Sequence, residues 1–179
     1  MLGTGNATVT HCFNTCFTIQ TPHTTLLVDA GGGNTILSQL EKAHIALSDI
    51  HHMFVTHAHT DHILGTIWVI RMIASMKAYE GQFHVYANDK ATLVMRTIVD
   101  LTFAKKHLQM VSQRIVFHCL TDGEELTAGD IRLKCFDIHS TKGSSTASKP
   151  PYPLLSSSLA SETNPITNST TTLSSELTT

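Results

Sequence analysis

Six consecutive residues, His57-Ala58-His59-Thr60-Asp61-His62, constrain this chain more than any other stretch. They follow the apolar run Met53-Phe54-Val55, so the string sits where a buried strand would surface. Three imidazoles and a carboxylate so close together form a chelating set for a divalent transition ion such as zinc, which takes nitrogen, oxygen and thiolate donors. In an extended segment alternate side chains share a face, so His57 and His59 can grip one ion together. Asp61 and His62 then lie past a bend, where they can reach a second ion. The plainer alternative is an exposed polar turn rich in histidine, which the order and spacing disfavour.

The rest of the chain can support such a site. Its 179 residues, 41% of them hydrophobic, suit one domain with a real core. A net charge of −2 gives no bulk attraction to nucleic acid. No apolar stretch approaches the roughly 20 residues of a membrane span, and the first residues lack the charged and apolar regions of a secretory signal. A cytoplasmic protein is expected. Cys12 and Cys16 on one strand would lie about 13 Å apart, too far to chelate one ion. With Cys119 and Cys135 they are expected to be buried free thiols.

Taken in order, residues 7–13 and 15–20 read as short strands and 24–28 as a buried strand ending at Asp29. Gly31-Gly32-Gly33 allows an unusual backbone path but lacks the lysine and hydroxyl residue of a phosphate loop. Asn34 can cap a helix over 35–43 with Ile36, Leu37, Leu40 and Ala43 on one face. Residues 49–56 form a strand, with His51 and His52 expected at its surface or edge and not as ligands. A helix from His62 to about Tyr79 is apolar around much of its circumference, so it should be largely buried, and Gly81 ends it. Then come a strand over 82–87 and a helix capped by Asn88 or Asp89 that runs to about Lys106. Lys105-Lys106-His107 would complement the dipole at its end. Strands over 114–120 and 131–138 follow, the second leading to His139. Asp137 is left out of the site. On position alone Asp29 is equally a turn aspartate or a support for the histidine loop.

The string, with Leu2-Gly3-Thr4-Gly5, Leu27-Val28-Asp29-Ala30-Gly31-Gly32 and Ile63-Leu64-Gly65, resembles the metallo-β-lactamase superfamily of metal-dependent hydrolases, closest to its ribonuclease Z-like and general branches. The resemblance covers about residues 2–142. It implies an α/β fold, an αββα sandwich of which about the first half is present, and a two-zinc centre that activates water. It makes Asp29 a buried support for the metal loop. It makes His139, in Phe136-Asp137-Ile138-His139-Ser140-Thr141, the residue that completes the first site with His57 and His59. Asp61 and His62 would bind the second ion, with Asp61 also orienting the attacking hydroxide and shuttling its proton.

From Gly143 the chain changes character. Ser, Thr and Pro dominate, histidine is absent, and only Lys149, Glu162 and Glu176 are charged. The expected division is a partial metallo-β-lactamase-like domain over 1–142 and a disordered tail over 143–179. Relatives continue with strands that carry a bridging aspartate and a last histidine. A shift of reading frame near Lys142 would account for the break. Two functions follow. One is a zinc-dependent hydrolase, in its sharper form a ribonuclease Z-like phosphodiesterase acting on RNA or a small phosphodiester. The other is a truncated non-catalytic remnant that keeps at most one metal site.

Overall fold

A computed structural model describes residues 1–137 and the backbone of 171–176. His139 lies outside the described residues. The parallel strands carry apolar residues towards both faces, because each packs in two directions, and His52, His84 and His118 interrupt one of those faces. β1 (Phe17–Gln20), β2 (Thr25–Val28), β3 (Ile50–Val55), β4 (Phe83–Ala87) and β5 (Ile115–Cys119) form one sheet in that order. β1 is antiparallel to β2, and the other neighbours are parallel. β6 (Glu125–Ala128), β7 (Ile131–Asp137) and β8 (Thr171–Glu176) form a second, antiparallel sheet.

Alternation along each strand sorts side chains between two cores. Leu27, Met53, Val55, Phe83 and Val85 face the helices α1 (Thr35–Lys42), α2 (Thr60–Ser75) and α3 (Asp89–Thr102). Leu26, Val28, Phe54 and Tyr86 face the other way and pack with Ile131, Leu133 and Cys135 of the second sheet. α2 approaches the turn after β2 closely. Gly65 N–H donates to Gly31 O at 2.8 Å, and a Cβ at Gly65 would collide with the Ala30 carbonyl oxygen. Among the described residues no helix is long and apolar enough to cross a membrane.

Several expectations are corrected. Residues 7–13 form no strand. Their polar groups close local turns, with Thr8 N–H donating to Asn6 Oδ1 at 3.0 Å, and the only pairing nearby is two isolated bridges, Gly3 with Cys16 and Gly5 with Asn14. α2 begins at Thr60 and stops at Ser75. Arg114 Nη1 donates to the Ile73 carbonyl at 3.1 Å and to that of Met76, adding a second donor to carbonyls that also accept the Met76 and Tyr79 N–H groups. α2 is largely buried as expected, with Trp68 41% exposed. The expected helix over 89–106 is two helices. Phe103 and Ala104 are extended, and α4 (Lys105–Arg114) starts after them. Lys105-Lys106-His107 therefore opens a helix and complements no helix end. Cys12 and Cys119 are exposed free thiols, whereas Cys16 and Cys135 are buried. His51 and His52 lie half-buried in the central strand β3. Thr171–Glu176 pairs antiparallel with Arg132–Asp137 of β7.

Candidate metal centre

The histidine loop leaves the carboxyl end of β3, beside the carboxyl end of β2. Parallel pairing of β2 with β3 puts Asp29 next to the start of the loop, and Asp29 N–H donates to Phe54 O at 2.9 Å. Asp29 adopts a left-handed backbone with φ 55°, which an aspartate tolerates better than most residues. That conformation turns its buried carboxylate back under the loop. Oδ1 accepts the Thr56 N–H at 2.9 Å, and Oδ2 accepts the Thr56 hydroxyl at 2.8 Å and His62 Nδ1 at 2.7 Å.

This network fixes both imidazoles. A carboxylate only accepts and a hydroxyl has one proton to give, so the Thr56 proton goes to Asp29. Thr56 Oγ1 also lies 2.9 Å from His57 Nδ1, so that nitrogen must carry the proton. That leaves the lone pair of His57 on Nε2. The same logic applies to His62, whose Nδ1–H is committed to Asp29. Its Nε2 lies 3.5 Å from Asp61 Oδ2. An imidazole that donates Nδ1–H to a carboxylate or carboxylate-held group is oriented and made more basic for a metal at Nε2.

His57 Nε2 faces His59 Nδ1 at 2.9 Å. Two nitrogens bound at about 2.0–2.1 Å to one tetrahedral ion sit roughly 3.3 Å apart, so a small opening of this pair admits one. Burial, helped by the neighbouring His62 and His59, pushes the His57 pKa down to about 4, so the ring is neutral at pH 7. For His62 burial also pulls downward, but the hydrogen bond and charge of Asp29, with the charge of Asp61, outweigh it and raise the pKa. The donor set therefore fits a divalent transition ion. Among the described residues no three His, Cys, Asp or Glu side chains converge as a finished cation site.

Five of the six residues expected from sequence, Asp29, His57, His59, Asp61 and His62, come together here. The sixth, His139, is outside the described residues. Thr56 was missed, although a hydroxyl just before the first histidine of the string was the available signal. Also missed was a cleft of about 590 Å³ next to Asp61, walled by Val9, His11, Cys12 and Phe13 on one side and Gly32, Gly33 and Gln39 on the other. Asn14 ties those walls together, since its Oδ1 accepts the Gly32 N–H at 3.0 Å and its side-chain amide donates to Asn6 O at 3.0 Å.

A mostly parallel sheet with helices on one face, a second sheet on the other and a histidine loop at the strand ends define a metallo-β-lactamase fold. The short form of human tRNase Z superposes with TM-score 0.61 at 18% identity, covering 76% of this chain and 57% of that one. The metallo-β-lactamase fold protein YhfI from Bacillus subtilis gives 0.52 at 21% identity, with coverage of 71% and 46%. A diphosphatase of the PhnP family gives 0.50 at 18% identity, with coverage of 69% and 43%. The chain thus spans about half the length of these structures. No curated protein sequence matches it. The family described as Anti-Pycsar protein Apyc1 matches residues 1–177, and the chain belongs to that family.

Proposed function

We propose that this chain is a metal-dependent hydrolase of phosphodiesters, with zinc as its ion. The observation that carries the reading is the Asp29 carboxylate holding Thr56 and His62, and through Thr56 His57, in the orientation a metal ligand needs. His57, His59 and His139 would hold a first ion, and Asp61 and His62 a second. Bound there, such ions supply a water acidic enough to attack at neutral pH and neutralise charge that builds on the substrate. Asp61, half-buried in the first turn of α2, would be the residue to orient that water and take its proton. The cleft beside Asp61 receives the rest of the substrate.

Phosphodiesters are the substrate class we propose because two proteins of this fold are named a tRNase and a diphosphatase. The family that matches is described as an anti-Pycsar protein. The test is hydrolysis of bis-nitrophenyl phosphate by the zinc-loaded chain. Asp61→Ala should lower the rate on the order of 10²–10³, the usual cost of losing one such electrostatic element. Turnover that Asp61→Ala leaves unchanged would overturn the proposal.

A further inference from the structure

A second group of imidazoles lies on the sheet, away from the loop. β3, β4 and β5 run parallel and in register, and His52, Phe54, His84, Tyr86 and His118 share the face opposite α1–α3. On that face His52 pairs with His84 across β3 and β4, and Tyr86 pairs with His118 across β4 and β5. His52 stacks on His84, with ring centroids 5.4 Å apart and planes 17° apart. Tyr86 stacks on His118 at 4.7 Å and 20°. The two stacks meet where His84 Nδ1 and His118 Nε2 face each other at 2.9 Å. That separation equals the one between His57 Nε2 and His59 Nδ1 in the loop.

We propose that His84 and His118 form a second, two-imidazole site for a divalent transition-metal ion, independent of the histidine loop. The two rings come from adjacent strands of one sheet at diagonal positions, His84 opposite Val116 and His118 opposite Tyr86, and their ring stacks on His52 and Tyr86 set where they point. Neighbouring stacks hold each ring, and both rings are half-buried, so an ion can arrive without the sheet opening. His52 is not a ligand. Its Nδ1 is hydrogen-bonded to the Tyr86 hydroxyl at 3.1 Å, which steadies both stacking partners. Burial, then the nearby His118 and His51, lower the His84 pKa, so its ring offers a lone pair at neutral pH. Two protein nitrogens leave the other positions to water. Imidazole donors select copper, nickel or zinc over magnesium or calcium, and copper binds most tightly of these at a given set of ligands.

The test uses the full chain carrying His57→Ala and His59→Ala, titrated with Cu²⁺ and followed by electron paramagnetic resonance. The expected result is one bound copper with nitrogen ligands. Adding His84→Gln or His118→Gln should weaken it by roughly tenfold or more, since removing a ligand costs at least as much as removing a ligand's hydrogen-bond partner. His52→Gln should leave the stoichiometry unchanged. Copper that binds equally well after His84→Gln or His118→Gln, or copper without nitrogen ligands, would overturn the proposal. Should the added substitutions unfold the chain, substoichiometric Cu²⁺ is added to the parent carrying both rings. It should broaden the ring resonances of His84 and His118 first, and sharp resonances there would refute the site.

Discussion

Thr56→Val tests the proton relay beneath the histidine loop. Valine keeps the shape and the β-branch and removes only the hydroxyl. The Thr56 N–H bond to Asp29 Oδ1 at 2.9 Å survives. The hydroxyl's 2.8 Å bond to Asp29 Oδ2 and its 2.9 Å contact with His57 Nδ1 are both lost. A hydrogen bond to a charged group contributes about 1.5–3 kcal/mol, so the melting temperature should fall. Nothing then favours the proton at Nδ1 of His57, and the ring can turn its lone pair away from the ion. Loss of such a supporting partner weakens a metal site by about 10- to 100-fold, or roughly 1.4–2.7 kcal/mol. Zinc affinity, read by competition with a coloured chelator, should fall within that range for Thr56→Val and return with Thr56→Ser. Zinc binding by a folded Thr56→Val chain as tight as the native would refute the relay.

Other outcomes follow from the same structure. Gly65→Ala drives a methyl into the Ala30 carbonyl and should cost about 1–3 kcal/mol in chemical denaturation, whereas unchanged stability would contradict the close packing of α2 on the 29–31 turn. Arg114→Met removes the donor to the Ile73 and Met76 carbonyls and should cost about 1–3 kcal/mol, also read by denaturation. Burial, with the charges of His84, His51 and His118, lowers the His52 pKa from 6.5 to about 4. The unfolded chain then binds a proton that the folded chain refuses, so this contribution is whole above pH 6.5 and is lost as pH falls from 6.5 to 4. Melting temperatures across that window should show a slope that His52→Gln reduces, and an equal slope in the variant would show that His52 is not its source.

The metal string was legible because its chemistry is local, four ligand-type residues within a few positions at the end of an apolar strand. The roles of Asp29 and Thr56 were harder to read. Asp29 reaches the loop only because β2 and β3 pair in parallel, a contact spanning 27 residues between Asp29 and Thr56. The threonine looks like any β-branched residue at a strand end. The N-terminal segment misled for a related reason. Residues 7–13 alternate as a strand would, yet Gly5 N–H donates to Phe13 O at 2.8 Å and the segment folds back as a cleft wall. The break between α3 and α4 carries no glycine or proline. It comes from tertiary packing, with Phe103 buried beneath Arg71, whose guanidinium lies 5.6 Å from the ring centroid.

The most direct test of the central claim is the zinc retained after exhaustive dialysis against metal-free buffer, measured on the native chain and on His57→Ala. The arrangement around Asp29 predicts that the native chain keeps at least one tightly held equivalent and that His57→Ala keeps none, while His51→Ala, whose ring bonds instead with the Tyr79 hydroxyl at 3.1 Å, matches the native chain. A native chain that emerges without zinc, or a His57→Ala chain that keeps as much as the native, would contradict it.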